Sequence, residues 1–318
     1  QSVDGFPALI SDPWLNARIT TLHACSDIWA VGAVAKSAQA VITLPEVSPK
    51  LQEALLKQCL GGIKSALEPQ GASLIGGHTY ESRNPLIKPI GLGIDISLTI
   101  NGLLQPSQTR FEKGGLKPGD KLLISRNLGS GVVFAAAMKG QVKPEVLDEV
   151  LLTLSKSQYS MLSFLRIKDS SVNPLINACT DVTGFGLLGH LGEMILSSNH
   201  RRSLIGQRAL QIKLYGESIP SFSGVKDLFK NDHRSTLAPS NSSAFSLLKS
   251  KDEYPPLIDL VFEKNDIEFD EINSIKELII DPQTCGPLLI SCPLSTANYL
   301  VDNYSWKEIG LVEESYNL

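Results

Sequence analysis

The sequence predicts an α/β fold (α+β) in two domains. Segments with a helical apolar rhythm alternate with short strand-like runs. The 318 residues are also about twice the roughly 150 of one domain. Residues 101–120 gather the turn dipeptides Asn101-Gly102, Gly114-Gly115 and Pro118-Gly119. That run sets the division, giving an N-terminal domain of 1–116 and a C-terminal domain of 117–318. With 42% hydrophobic and 19% charged residues, each half has enough apolar material for a core, which excludes wholesale disorder.

The first domain begins with a strand-like run, Gln1 to Asp4. Over 13–35, Leu15, Ile19, Leu22, Ile28 and Val31 recur at helical spacing. Residues 38–44 read as a strand ended by Pro45. Residues 48–68 form a second helix, with Leu51, Leu55, Leu56, Cys59, Leu60, Ile63 and Leu67 on one face. Ser48-Pro49 suits an N-cap followed by proline at the first helical position. Ala72 to Ile75 is a short strand running into Gly76-Gly77-His78, and 86–100 is a long strand holding Gly91 and Gly93.

In the second domain Lys121–Ser125 is a strand, followed by helices over 131–139, 144–167 and 186–198. Residues 199–255, punctuated by Pro220, Pro239 and a serine-rich stretch over 240–243, read as an irregular surface excursion. Leu278–Ile280 and Leu288–Ser291 read as strands flanking a Pro/Gly turn.

Several function classes drop out. The formal charge is 29 − 33 = −4 and the densest basic run is His200-Arg201-Arg202, so nucleic acid is not the expected partner. The longest clean apolar run, Val132–Ala137, falls far short of the roughly 18 residues of a membrane span. Cysteines at 25, 59, 179, 285 and 292 form no Cys-x-x-Cys pair and are odd in number. Free thiols in a reducing cytoplasm are therefore expected. There is no Walker A motif, no Gly-x-Gly-x-x-Gly after a strand and no Gly-x-Ser-x-Gly elbow.

Five constellations carry candidate chemistry. Ser26-Asp27 lies within an apolar helix, and its acid is either a buried cap or a metal-holding carboxylate. In Thr180-Asp181-Val-Thr-Gly-Phe-Gly186, strand residues lead through an acid and glycines into the helix that carries His190. Such a concavity suits phosphate with Mg²⁺ bridging to Asp181, or is an ordinary capped helix start. Gly76-Gly77-His78-Thr79 follows a strand and either opens amides towards phosphate or makes a tight turn. Asp281-Pro-Gln-Thr-Cys-Gly-Pro287 lies between two strands and reads as a turn. Ser2-Val3-Asp4 puts an acid at a strand end.

In this order, these motifs resemble the selenophosphate synthetase (selenide, water dikinase) family of the AIR-synthetase-like ATP-binding superfamily. The resemblance runs from Val3-Asp4 through Ala24-x-Ser26-Asp27-Ile28, Gly76-Gly77-His78, Lys117-Pro118-Gly119-Asp120 and Leu128-Gly129-x-Gly131. It continues in Thr180–His190 and Asp281-Pro282-Gln283-Thr284. It implies a two-domain PurM-like fold whose N-terminal domain binds ATP and dimerises through its sheet. It also implies synthesis of selenophosphate, AMP and phosphate from ATP, selenide and water, with Mg²⁺. Carried over, Asp4, Asp27, Gly76, Gly77 and His78 would face the nucleotide, the glycine segment that of a partner subunit. Asp27 and Asp181 would hold metal.

The departures are His23 where the family has Asn, and Cys285-Gly286-Pro287 where it has Ser-Gly-Gly. The family's reactive Cys or selenocysteine, its lysine and further acids would precede Gln1, so no catalytic residue is assigned within the chain. The chain opens on Gln rather than Met, so an N-terminal part is expected upstream, as in a trimmed chain or a fusion behind a flavin oxidoreductase. Alone it is expected to make no selenophosphate. The alternatives are another small-molecule kinase of this fold and a non-catalytic nucleotide-binding or dimerisation module.

Overall fold

The computed structural model describes residues 1–82, 90–104, 110–165, 176–250, 255–263 and 267–315. They form two compact units, Gln1–Arg110 with Leu151–Ser163, and Phe111–Val150 with Phe164–Leu318. Among the described residues no helix is long and apolar enough to cross a membrane.

The first unit holds β1 (Ser2–Pro7), α1 (Pro13–Ala30), β2 (Val34–Leu44), α2 (Pro49–Leu67), β3 (Ser73–Glu81) and β4 (Asp95–Leu103). Its sheet runs β1-β4-β2-β3, antiparallel except for the β2–β3 pair. Asp12 starts α1, its side chain accepting the Leu15 N–H at 2.9 Å with proline next in line. Gly32, with φ +76, stops the helix short of the expected residue 35. β4 turns Ile96, Leu98 and Ile100 inward, each contributing roughly 1.5–3 kcal/mol of burial. In β2 the buried alternation changes phase between Ala35 and Ala38, where the register against β4 slips by one residue. Arg18 ties the 151–163 segment to this unit through the Ser155 carbonyl at 2.9 Å.

Four expectations change here. Ser48 precedes α2 but makes no side-chain cap; its carbonyl receives Leu51 and Gln52 instead. Gly76, Gly77 and His78 lie inside β3, not beyond its end, and Asp4 lies inside β1. The strand expected over 86–100 is a 3-10 turn at Ile90–Gly93 followed by β4; residues 83–89 lie outside the described residues.

The second unit carries β5 (Lys121–Ile124), α3 (Ser130–Ala137), β6 (Ala178–Asp181), α6 (Gly186–Leu204), β7 (Leu210–Tyr215), α7 (Val225–Lys230) and α8 (Ala238–Asn241). It ends with β8 (Ile258–Val261), α9 (Phe269–Ile280), β9 (Leu288–Cys292), α10 (Leu294–Asn303) and β10 (Lys307–Glu314). In chain order between α3 and β6 come α4 (Pro144–Leu154), which from Leu151 on belongs to the first unit, and α5 (Tyr159–Leu165), which belongs to it up to Ser163. The six-stranded sheet runs β6-β9-β5-β10-β7-β8, with only β7–β8 parallel. All five cysteines are buried thiols.

The helix expected over 144–167 divides into α4 and α5. Ser155 hydroxyl turns back to the Leu152 carbonyl and Ser157 accepts the Tyr159 N–H, so local bonds compete with the helix. Residues 166 and 167 lie outside the described residues. The stretch 199–255 is no mere excursion: α6 runs to Leu204, and β7 sits inside the sheet with Leu210, Ile212 and Leu214 buried. Leu278–Ile280 is the end of α9, not a strand. Ile275, Leu278 and Ile279 recur at helical spacing on its buried side, a pattern three apolar residues alone cannot reveal.

Candidate functional site

In the first unit, β1 and α1 meet along one line. Side chains alternate along a strand, so Ser2, Asp4 and Phe6 share a face. On α1, His23 and Asp27 stand one turn apart and meet them. Asp4 Oδ2 lies 3.0 Å from His23 Nε2, the Phe6 ring stands edge-on to the imidazole at 5.3 Å, and Ser2 Oγ donates to Asp27 Oδ2 at 2.5 Å. Asp4 Oδ1 accepts the Gly5 N–H at 2.7 Å. Burial works to raise the Asp4 pKa, yet the His23 hydrogen bond and charge and the Gly5 N–H together hold it below its ordinary value.

Asp27 is exposed although α1 is buried around most of its circumference, so it is no buried cap. Cys25, two residues away, is fully buried, with the Gln70 amide 3.4 Å from its sulfur.

The glycine segment occupies the opposite edge of this sheet, with β4 and β2 between it and β1. At 4.7–4.9 Å per strand that is roughly 14 Å from Asp4. A groove of about 550 Å³ runs between α2 and β3, lined by Leu56, Leu60, Lys64, Ile75, Gly76 and His78 among others. A side chain at Gly77 would collide with the Ala40 carbonyl of β2, whereas nothing lies within 4 Å of a Cβ at Gly76. The two glycines therefore differ: one lets two backbones pack, the other leaves the strand edge open. The His78 ring sits edge-on to Tyr80 at 4.5 Å.

In the second unit, Asp181 ends the edge strand β6 and is buried to 4% exposure, directly before the loop into α6. Three motif blocks far apart in sequence meet at this end of the unit. Gln283 Oε1 accepts from the Gly129 and Ser130 N–H groups, at 3.0 and 3.2 Å, and from the Ser130 hydroxyl at 3.1 Å. Asp281 Oδ2 accepts the Gly131 and Val132 N–H groups at 3.1 and 3.3 Å. A side chain at Gly131 would collide with the Pro282 carbonyl. The Gln283 N–H donates to Thr183 O, and the Val182 N–H to Pro287 O, each at 2.9 Å.

The Asp281 block lies between a helix and a strand, not between two strands, and it caps α3. Amides at the Gly129–Gly131 turn, which resemble an anion cradle, are taken by Asp281 and Gln283. Burial raises the Asp281 pKa to about 7 against the opposing hydrogen bonds, and its Oδ1 is buried without a hydrogen-bond partner. Sequence reasoning took these blocks one at a time and missed that Gln283 and Ser130 are one constellation. Cys285 occupies the left-handed region at φ +46, and its carbonyl accepts from Arg126 at 3.0 Å. Pro287 still offers the carbonyl that β6's exit uses.

A cation held by phosphate oxygens needs only one or two carboxylates and completes its shell with water. Asp27 and Asp181 are hard oxygen donors of that kind. Among the described residues no three His, Cys, Asp or Glu side chains gather into a closed metal cage. The donors present fit Mg²⁺ brought in with a phosphate ligand.

The chain matches the models of the AIR synthase related protein, N-terminal domain over residues 1–104 and C-terminal domain over 117–201. It is 27% identical over 302 residues to a selenide, water dikinase of Clostridioides difficile (strain 630), covering 95% of this chain and 74% of that protein. A selenide, water dikinase of Geobacter metallireducens is 29% identical over 292 residues, covering 91% and 71%. The crystal structure of thiamine monophosphate kinase from Aquifex aeolicus superposes with a TM-score of 0.63 at 16% identity, covering 98% and 84%. That last likeness is one of fold.

Proposed function

The chain belongs to the AIR synthase related family, and from that premise we propose that it works as a selenide, water dikinase in the cytoplasm. The reaction converts ATP, selenide and water to selenophosphate, AMP and phosphate. The observation that carries the reading is likeness to selenide, water dikinases along nearly the whole chain.

In this reading Asp27, and in the other unit Asp181, would supply carboxylate oxygen to Mg²⁺ bound with ATP. Bound Mg²⁺ neutralises phosphate charge, the main requirement of phosphoryl transfer alongside positioning. The Ser2 hydroxyl orients the exposed Asp27 carboxylate, and the Asp4–His23 pair braces β1 against α1 beneath it. Gly76, Gly77 and His78 contact nucleotide from the other edge of the sheet. That separation suits a site completed across a homodimer, where one subunit's glycine edge serves its partner's triphosphate. Exposed Val3 and Val41, 73% and 42% accessible, favour such an association through this sheet. A monodisperse monomer in sedimentation at high micromolar concentration would overturn the dimer.

The test of function is product analysis of the protein as the cell makes it, with ATP, Mg²⁺ and selenide, by phosphorus NMR. AMP with a selenophosphate signal is expected. ADP as the end product would assign a simple kinase instead, and ATP binding without turnover would assign a module.

A further inference from the structure

We propose that His190 is a positioning residue, whose imidazole fixes the loop that leaves β6 directly after Asp181. The proposal rests on the reading of Asp181 as a metal-holding carboxylate. His190 lies one turn into α6 and its ring is buried to 5% exposure. Its Nε2 accepts the Thr183 N–H at 3.1 Å, with the Thr183 hydroxyl 3.3 Å away. A main-chain N–H can only donate, so Nε2 holds a lone pair and the ring proton sits on Nδ1. Nδ1 faces Glu193 Oε2 at 3.4 Å, too poorly aligned to be a hydrogen bond. Glu193 is held in turn by Lys113 at 2.8 Å.

The opposite side of the loop is tied as well. Thr183 O receives the Gln283 N–H at 2.9 Å, and the Asn241 amide donates to Gly184 O at 2.8 Å. A side chain at Gly286 would collide with the Val182 carbonyl. Both backbone polar groups of Thr183 are therefore engaged, one by the loop at 283 and the other by the imidazole. Mg²⁺ demands near-octahedral oxygen geometry at about 2.0–2.1 Å, so a carboxylate at a strand end whose exit loop is loosened binds it poorly. Removing such outer support typically costs 10–100-fold in metal affinity.

The test uses the full chain with Mn²⁺ and a non-hydrolysable ATP analogue as the probe, free Mn²⁺ read by EPR, and four proteins: wild type, His190→Phe, His190→Gln and Asp181→Asn. His190→Phe keeps a ring but has no acceptor, whereas His190→Gln offers an oxygen at a similar reach. The expected results are a Mn²⁺ dissociation constant raised about 10-fold or more in His190→Phe and faster exchange of the Thr183 amide. His190→Gln should return within about threefold of wild type, a rescue that loss of packing alone would not give. Unchanged affinity in His190→Phe, or His190→Gln as weak as His190→Phe with both folded, overturns the proposal. If Asp181→Asn binds Mn²⁺ like wild type, the metal reading falls and takes this proposal with it. If Asp181→Asn loses binding and His190→Phe does not, only the positioning role fails. Should His190→Phe not fold, ¹⁵N imidazole spectra of the wild type decide: an Nδ1-protonated tautomer is required, and an Nε2-protonated one overturns it.

Discussion

Asp4 and His23 stand 3.0 Å apart, carboxylate to imidazole Nε2, and this contact joins the edge strand β1 to the first helix. It lies beside the Ser2–Asp27 hydrogen bond, so the residue that departs from the resembled family's Asn supports the candidate carboxylate from below.

His23→Ala should therefore destabilise the fold in a pH-dependent way. The folded-state pKa of Asp4 lies below its ordinary 3.8. The stability this gives is present above the unfolded value and lost as pH falls through the folded one. Urea unfolding at pH 6 should show a loss of about 1–3 kcal/mol, the scale of a hydrogen bond to a charged group. Towards acid pH the difference should shrink as Asp4 takes up its proton. An equal loss at pH 6 and at acid pH would assign the effect to packing against Phe6 instead. His23→Asn, which keeps a donor, should lose less than His23→Ala.

Asp27→Asn and Asp181→Asn should separate function from folding. Asp27 is exposed, so its substitution should change stability by no more than about 0.5 kcal/mol. Turnover should still fall roughly 10²-fold or more, the cost of one electrostatic contact in the transition state. Asp181 is buried, so its variant should lose both activity and some melting temperature. Full activity in either variant, measured as AMP formed at saturating Mg²⁺, would remove that carboxylate from the metal role.

The paired glycines of β3 should behave oppositely. Gly77→Ala puts a methyl group into the Ala40 carbonyl, which the sheet relieves only by moving β3. A loss of about 1–3 kcal/mol is expected, as for overpacking. Gly76→Ala meets open space and should leave the denaturant midpoint nearly unchanged. If Gly76→Ala nonetheless weakens ATP binding, measured by calorimetry, close approach of a ligand to that backbone is supported. Equal unfolding midpoints for both variants would contradict the strand packing.

Much of this was legible in the sequence, and what was missed has physical causes. The acid-glycine-helix order around Asp181 reads correctly because strand, turn and helix signals are all local there. Gly76 and Gly77 read as a strand's end because glycine usually interrupts strands; only the Ala40 carbonyl across the ladder explains why one stays inside. β7 carried a plain signal, the alternation of Leu210, Ile212 and Leu214, hidden among the prolines and serines around it. The Gln283–Ser130 contact spans 153 positions, and no local pattern announces it. Thr183 held between Gln283 and His190 was equally invisible, although His190 lies only seven residues on.

Asp281→Asn should make the protein more stable at neutral and alkaline pH. Burial lifts the Asp281 carboxyl from 3.8 to about 7, although Gly131, Val132 and Gln283 donate to its Oδ2. Because the folded state holds this proton more tightly than the unfolded chain, folding takes up a proton between pH 3.8 and about 7. Stability from this group is complete below the unfolded value and declines as pH rises through that window. A shift of about three units sets a ceiling near 4 kcal/mol on the decline. Asparagine cannot ionise, and its carbonyl can still accept the α3 amides, so the variant should lose the decline and keep the cap. The melting temperature of Asp281→Asn should exceed wild type by several degrees at pH 8, and the two should converge near pH 4. A variant less stable than wild type at pH 8 would show that the ionised carboxylate itself, through its hold on the α3 N-terminus, outweighs its burial.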